Sequence, residues 1–188
     1  MRQPVIALVG LSGVGKSTLL HALREHIAFQ HLQASVLIRA TRETLTSAPV
    51  AADDLRHADI TDNQALLIEG FKIARSADAS LVVLDGHTVV DTPLGLVEIA
   101  PEVFGALGVS SFIFVVDDAE VIFQRRRADK SRERPDRSPK ELDHQQTQAL
   151  LATFRAARAL CVPLHIFSTG HVDQIRDVMA KASHSANS

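Results

Sequence analysis

An apolar run, Val5-Ile6-Ala7-Leu8-Val9, leads directly into Gly10-Leu11-Ser12-Gly13-Val14-Gly15-Lys16-Ser17-Thr18, and an amphipathic stretch from Thr18 to Phe29 follows. A short, wholly apolar run of this kind has the composition of a parallel strand buried on both faces. The spacing G-x-x-x-x-G-K-[ST] then dictates the turn between strand and helix. Glycines at 10, 13 and 15 permit backbone conformations that a side chain forbids, so that N–H groups of the segment Gly10, Ser12, Gly13, Val14, Gly15, Lys16, Ser17 and Thr18 converge on the oxygens of one polyphosphate. The positive end of the following helix points at the same place. Lys16 supplies a mobile charge for the outer phosphates. The Ser17 hydroxyl is a hard oxygen suited to the Mg2+ that travels with a nucleoside triphosphate such as ATP. A glycine-rich turn with a stray lysine is the plain alternative, and the strand before and helix after speak against it.

Beyond this loop, short β-branched runs alternate with longer amphipathic stretches, the pattern of strand-helix-strand units in a parallel sheet. Strands are expected at Val5–Val9, Ser35–Arg39, Ser80–Leu84, Ser111–Val116 and Leu164–Phe167. Thr61 with Gln64 is expected to open a helix to about Ala77, and Asp117 with Glu120 one starting at Ala119. Ser138-Pro139-Lys140-Glu141 combines a cap, a first-position proline and a capping-box glutamate ahead of a long helix to about Ala159. A last helix is expected over Val172–Ala182. The chain of 188 residues, 46% hydrophobic, fits one domain, and 20 basic against 22 acidic residues give a net charge of −2 that excludes a globally basic nucleic-acid binder. No apolar run is long enough to span a membrane and no leader is evident. The single cysteine, Cys161, sits among apolar neighbours and reads as buried, which points to a reducing cytoplasmic setting.

Two further features carry chemistry. The strand Leu81-Val82-Val83-Leu84 ends in Asp85, where an acid would stand beside Mg2+ and partner Ser17. His87 two residues later would either touch substrate or bridge backbone groups. The cationic cluster Arg125-Arg126-Arg127, Arg132, Arg134 and Arg137 spans a helix end and a breaker-rich loop, bounded by two capped helices that can move it as a unit. Guanidinium forks suit phosphoryl oxygens, so a closing lid is expected to deliver Arg125, Arg132 and Arg134 to a transferring group and expel water, against the ordinary reading of a solvated basic loop.

These pieces together resemble the nucleoside monophosphate kinases, most of all the archaeal-type adenylate kinases, over Val5 to about Phe167. The carrying residues are the loop Gly10 to Thr18, Asp53-Asp54-Leu55-Arg56, the stretch Val83 to Pro93 with its Asp85-Gly86-His87, and the lid Arg125 to Asp129 with Arg132, Arg134, Asp136 and Ser138. The resemblance implies an α/β, three-layer P-loop NTPase fold: a five-stranded parallel sheet, helices on both faces and a short lid. It implies one domain, 1–188, with an acceptor-binding arm at about 40–77 and a lid at about 129–138. The implied activity moves the γ-phosphoryl group of Mg-ATP to a nucleoside monophosphate, with AMP as the expected acceptor. Lys16 and the loop amides would hold ATP, Ser17 and Asp85 the metal, and Arg56 the acceptor phosphate. Asp85 and His87 would line the substrate side, and the partners would be small nucleotides rather than nucleic acid or membrane. The chain departs from the archaeal-type pattern at Ala52, where that family has an arginine. It also lacks the arginine of the D-G-F-P-R loop of larger adenylate kinases. Two other readings stay open: a P-loop kinase of another small metabolite, and a non-kinase ATP-binding regulatory protein.

Overall fold

The computed structural model describes residues 3–46, 60–92, 95–129 and 134–185. Five parallel strands form its centre: β1 Val5–Val9, β2 Gln30–Gln33, β3 Val82–Asp85, β6 Ser111–Val116 and β7 Leu164–Ser168, in the order β2-β3-β1-β6-β7. All five residues of β1 are buried, as the middle strand of a sheet covered on both sides must be. Helices complete the three layers: α1 Lys16–Arg24 packs with α7 Val172–Ser185, while α2 Ala34–Thr46, α3 Ile60–Ala74, α4 Pro101–Leu107, α5 Ala119–Ala128 and α6 Pro139–Leu160 pack as a connected second group. The expected fold class is the one observed. Among the described residues no helix is long and apolar enough to cross a membrane.

Register decides what meets at the carboxyl edge of the sheet, where ligands of open parallel sheets collect. Leu8 pairs with Asp85, so the acid at the end of β3 stands beside the start of the glycine loop. The chain then runs through Thr88, whose hydroxyl donates to Ala149 O at 3.0 Å and lies 2.9 Å from Thr153 Oγ1, which ties the segment after β3 to the middle of α6. From there a separate antiparallel hairpin rises, β4 Val89–Thr92 with β5 Gly95–Glu98. The sequence reading did not anticipate this hairpin.

Several local expectations need correction. Ser35–Arg39 is not a strand but the first half of α2, and the strand lies upstream at Gln30–Gln33. The run Val36-Leu37-Ile38 looks extended by composition, yet Leu37 and Thr41 are buried one helical turn apart while Val36 is exposed, a helical rather than a two-residue period. The α5 cap is Asp118 rather than Asp117, and its carboxylate accepts from the N–H groups of Glu120 and Val121. Helix α3 already starts at Ile60, which puts Thr61 inside the first turn. The capping box of Ser138 and Glu141 is present as expected. Cys161 is exposed, not buried: α6 must end before β7, and Cys161 takes the left-handed cap conformation, φ 53°, that makes the turn.

Candidate functional site

The loop from Gly10 to Gly15 is shaped by contacts from behind as well as by its glycines. Gly10 has φ 151° and a Cβ there would lie 2.6 Å from Val115 O; Gly13 has φ 87° and a Cβ would lie 2.9 Å from Arg126 Cγ. Both positions are closed to any other residue by conformation and by space. Lys16 folds back under this arch. Its Nζ donates to Gly10 O at 3.2 Å and Leu11 O at 3.4 Å and lies 3.9 Å from Asp85 Oδ1, with both side chains only 8% exposed. Ser17 and Thr18 follow Lys16 in the first turn of α1 and are exposed.

Asp85 is a buried carboxylate in a cationic setting. Burial opposes its ionisation, but His31 and Lys16 more than compensate and hold it below the usual carboxylate range. His31 comes from the edge strand β2, with Nε2 at 3.6 Å from Asp85 Oδ2. Arg24 Nη2 lies 3.1 Å from His31 Nδ1, and since a guanidinium only donates, the neutral ring carries its proton on Nε2, toward Asp85. On the other side, His87 Nδ1 lies 2.6 Å from Gly10 O. A carbonyl only accepts, so Nδ1 is the protonated nitrogen. Burial, with the Lys16 cation next, pushes this imidazole down to about 3. His87 therefore stays neutral and holds the backbone of the phosphate loop at Gly10.

The donor set fits Mg2+. Ser17 and Asp85 offer one hydroxyl and one ionised carboxylate, and no group of three or more metal-ligating side chains occurs among the described residues. Such a partial oxygen set suits a cation that keeps waters and phosphate oxygens in its shell.

The arginines divide by where they touch the loop. Arg125 Nη1 donates to Val14 O at 2.9 Å and pairs with Asp117 Oδ2 at 2.6 Å, and its side chain is 42% exposed near Thr169. Arg126, 9% exposed, donates from Nε to Ser12 O at 2.8 Å and sits 3.7 Å from Asp91 Oδ2. Arg134 crosses from beyond α5 to donate to Ser12 Oγ at 3.1 Å, anchored by Asp129 Oδ2 at 2.5 Å. Its Nη1 is buried with no partner. Arg137 donates from Nη2 to Asp91 Oδ1 at 2.9 Å and to Thr92 O at 3.3 Å. Arg132 and Arg56 lie outside the described residues. The structure thus gathers Lys16, Asp85, His87, Arg125 and Arg134 around one loop. Sequence reasoning counted Arg126 in the cationic cluster and Asp91 in the stretch after β3 without giving either a role, and passed over His31. For Arg126 a signal existed: it follows the buried Ile122 by four residues on α5 and shares its inward face.

Comparison with known proteins bears on family and fold. The profile of the AAA domain family matches residues 9–143, which takes in the glycine loop, Asp85, the arginines and the start of α6. Among solved structures, a shikimate kinase from Bacteroides thetaiotaomicron superposes with a TM-score of 0.57 at 18% identity, over 94% of this chain and 98% of that one. A gluconokinase from Sinorhizobium meliloti 1021 gives 0.50 at 17% identity, over 98% of this chain and 94% of that one. These likenesses show the fold. A search of curated proteins returned no match to the sequence.

Proposed function

The chain belongs to the AAA domain family, and on that footing we propose that it is an ATP-dependent phosphotransferase that hands the γ-phosphoryl group of Mg-ATP to a small-molecule acceptor. The observation that carries this reading is Arg134. It reaches Ser12 Oγ of the phosphate loop from the segment after α5 and still holds a buried N–H without a partner. A module that only binds nucleotide has little use for a guanidinium held against the phosphate loop, whereas phosphoryl transfer depends on positioning and charge stabilisation at that point. In this reading Lys16 and the loop amides grip ATP, and Ser17 and Asp85 hold Mg2+. Arg126 braces the loop, and Arg134, with Arg132, neutralises charge on the transferring group. One domain would carry both an acceptor arm, about 40–77, and a lid, about 129–138.

The resemblance to archaeal-type adenylate kinases implies AMP as acceptor. The likeness to a shikimate kinase and a gluconokinase supports a hydroxylated metabolite instead, and we favour the latter. The test is ADP production from Mg-ATP by the full chain against a panel of nucleoside monophosphates and small hydroxyl acceptors. Acceptor-dependent ADP release supports transfer; ATP binding with no acceptor dependence across the panel would leave only a nucleotide-binding role.

A further inference from the structure

We infer that the acceptor is a polyhydroxylated small molecule carrying no phosphate, seated between the β4–β5 hairpin and the first turns of α6, with Asp91 Oδ2 taking the hydroxyl that is phosphorylated. This rests on the transfer reaction proposed above. Among the described residues six buried side-chain polar atoms have no hydrogen-bond partner, and four of them belong to one connected group: Asp91 Oδ2, Arg134 Nη1, Arg137 Nε and Gln145 Oε1. The connections run through shared partners, and Arg137 is the residue that joins Asp91 to the cleft wall. Arg134 is bound to Ser12 of the phosphate loop, as is Arg126; Arg126 lies 3.7 Å from Asp91; Asp91 pairs with Arg137 at 2.9 Å; and Arg137 and Gln145 line the same cleft. Buried polar atoms are rarely left unpaired, so a concentration of them marks where a ligand completes the bonding.

The mix of these atoms selects the ligand. Two of the four only accept at the free atom and two only donate. Hydroxyl groups do both and can answer each of them, whereas a phosphate dianion could satisfy only the donors and would face the Asp91 carboxylate. Asp91 also already neutralises Arg126 and Arg137, and Glu141, which lines the cleft 4.0 Å from Arg137, adds a second negative charge against a phosphorylated acceptor. The cleft has a volume of 390 Å3, the size of a small-metabolite site, and Leu96 and Gln148 contribute to its wall. Lys140 at the same wall offers one cation, enough for a single carboxylate on the ligand. In the reaction the acceptor oxygen forms its bond to the γ-phosphorus while the bond from that phosphorus to the β,γ-bridging oxygen breaks. The electron pair leaves on ADP, and the hydroxyl proton passes to Asp91 Oδ2.

The experiment begins with titration of the full chain by a non-hydrolysable ATP analogue; failure to bind would strike the transfer reading rather than this one. ADP production is then measured with gluconate, shikimate and AMP as probes for the parent, Gln145→Leu and Asp91→Asn. A hydroxy acid is expected to support turnover and AMP not. Gln145→Leu should raise the acceptor KM about tenfold and leave the ATP KM in place. Asp91→Asn should lower turnover on that acceptor by about tenfold or more. Analogue binding and circular dichroism establish that each variant is folded, and Gln145→Leu decides alone if Asp91→Asn is not. Preference for AMP, absence of turnover with both hydroxy acids in a chain that binds ATP, or parental kinetics in Gln145→Leu would each overturn the inference.

Discussion

His87 donates from Nδ1 to the carbonyl oxygen of Gly10, the same oxygen that accepts from Lys16 Nζ. When Lys16 turns toward a phosphate, Gly10 O keeps one partner only because His87 is there. His87→Ala should therefore weaken ADP affinity in titration calorimetry by about five- to a hundredfold, the cost of leaving a buried carbonyl unpaired. Asn places an N–H near the Nδ1 position and should retain most of the affinity, while Gln should not. Equal affinities in all four proteins would show that the bond is incidental.

Lys16 is the loop's only side-chain cation and lies beneath it, 3.9 Å from Asp85. Lys16→Ala is expected to cost about a hundredfold or more in turnover and much less in nucleotide binding, because its charge matters most when negative charge builds on the outer phosphates. Turnover at the parental rate would remove Lys16 from the transfer step.

Arg134 should matter to rate and little to the ground state. Arg134→Ala is expected to reduce turnover about 10- to 1000-fold, in the manner of arginines that stabilise a transferring phosphoryl group. Arg127, which instead lies over the Phe123 ring, serves as the comparison, and its alanine variant should run near the parental rate. Full-speed Arg134→Ala would reduce the cluster to a solvated loop.

Stability should fall on the acid side for a specific reason. In the unfolded chain His87 takes up a proton near 6.5, but in the folded protein burial and Lys16 delay this to about 3. Between these values the unfolded state binds the extra proton. The contribution is thus complete above about pH 6.5 and is lost as pH falls toward 3, by at most about 1.4 kcal/mol per pH unit. Asp85, depressed below its ordinary 3.8, acts with the same sign at lower pH. Thermal melts from pH 7 to 4.5 should show a shallower decline for His87→Asn than for the parent. Parallel declines would mean that His87 titrates as an ordinary surface histidine.

Much of the site was legible because its chemistry is local in sequence. The glycine loop, Asp85 at a strand end and the Ser138 cap depend on neighbours within a few residues, and these the chain states outright. What escaped depends on partners far away. Arg126 meets Ser12 across 114 positions, and Asp91 gains its place from Arg126 on α5 and Arg137 just ahead of α6. The misread strand at Ser35–Arg39 has a similar origin. Its β-branched composition favours extension, but close packing of α2 on α3 decides otherwise: a Cβ on Gly70 would come within 2.4 Å of Thr41 Oγ1. Cys161 was misjudged from its apolar neighbours, when the demand at that point was for a residue able to turn the chain.

The β4–β5 ribbon is a two-stranded sheet of its own, outside the five-stranded ladder. Exchanges along it, at Leu96 for instance, therefore break no ladder bond of the five strands that carry the glycine loop. The ribbon can thus tilt or change side chains as a unit while the strand order beneath the glycine loop stays as it is.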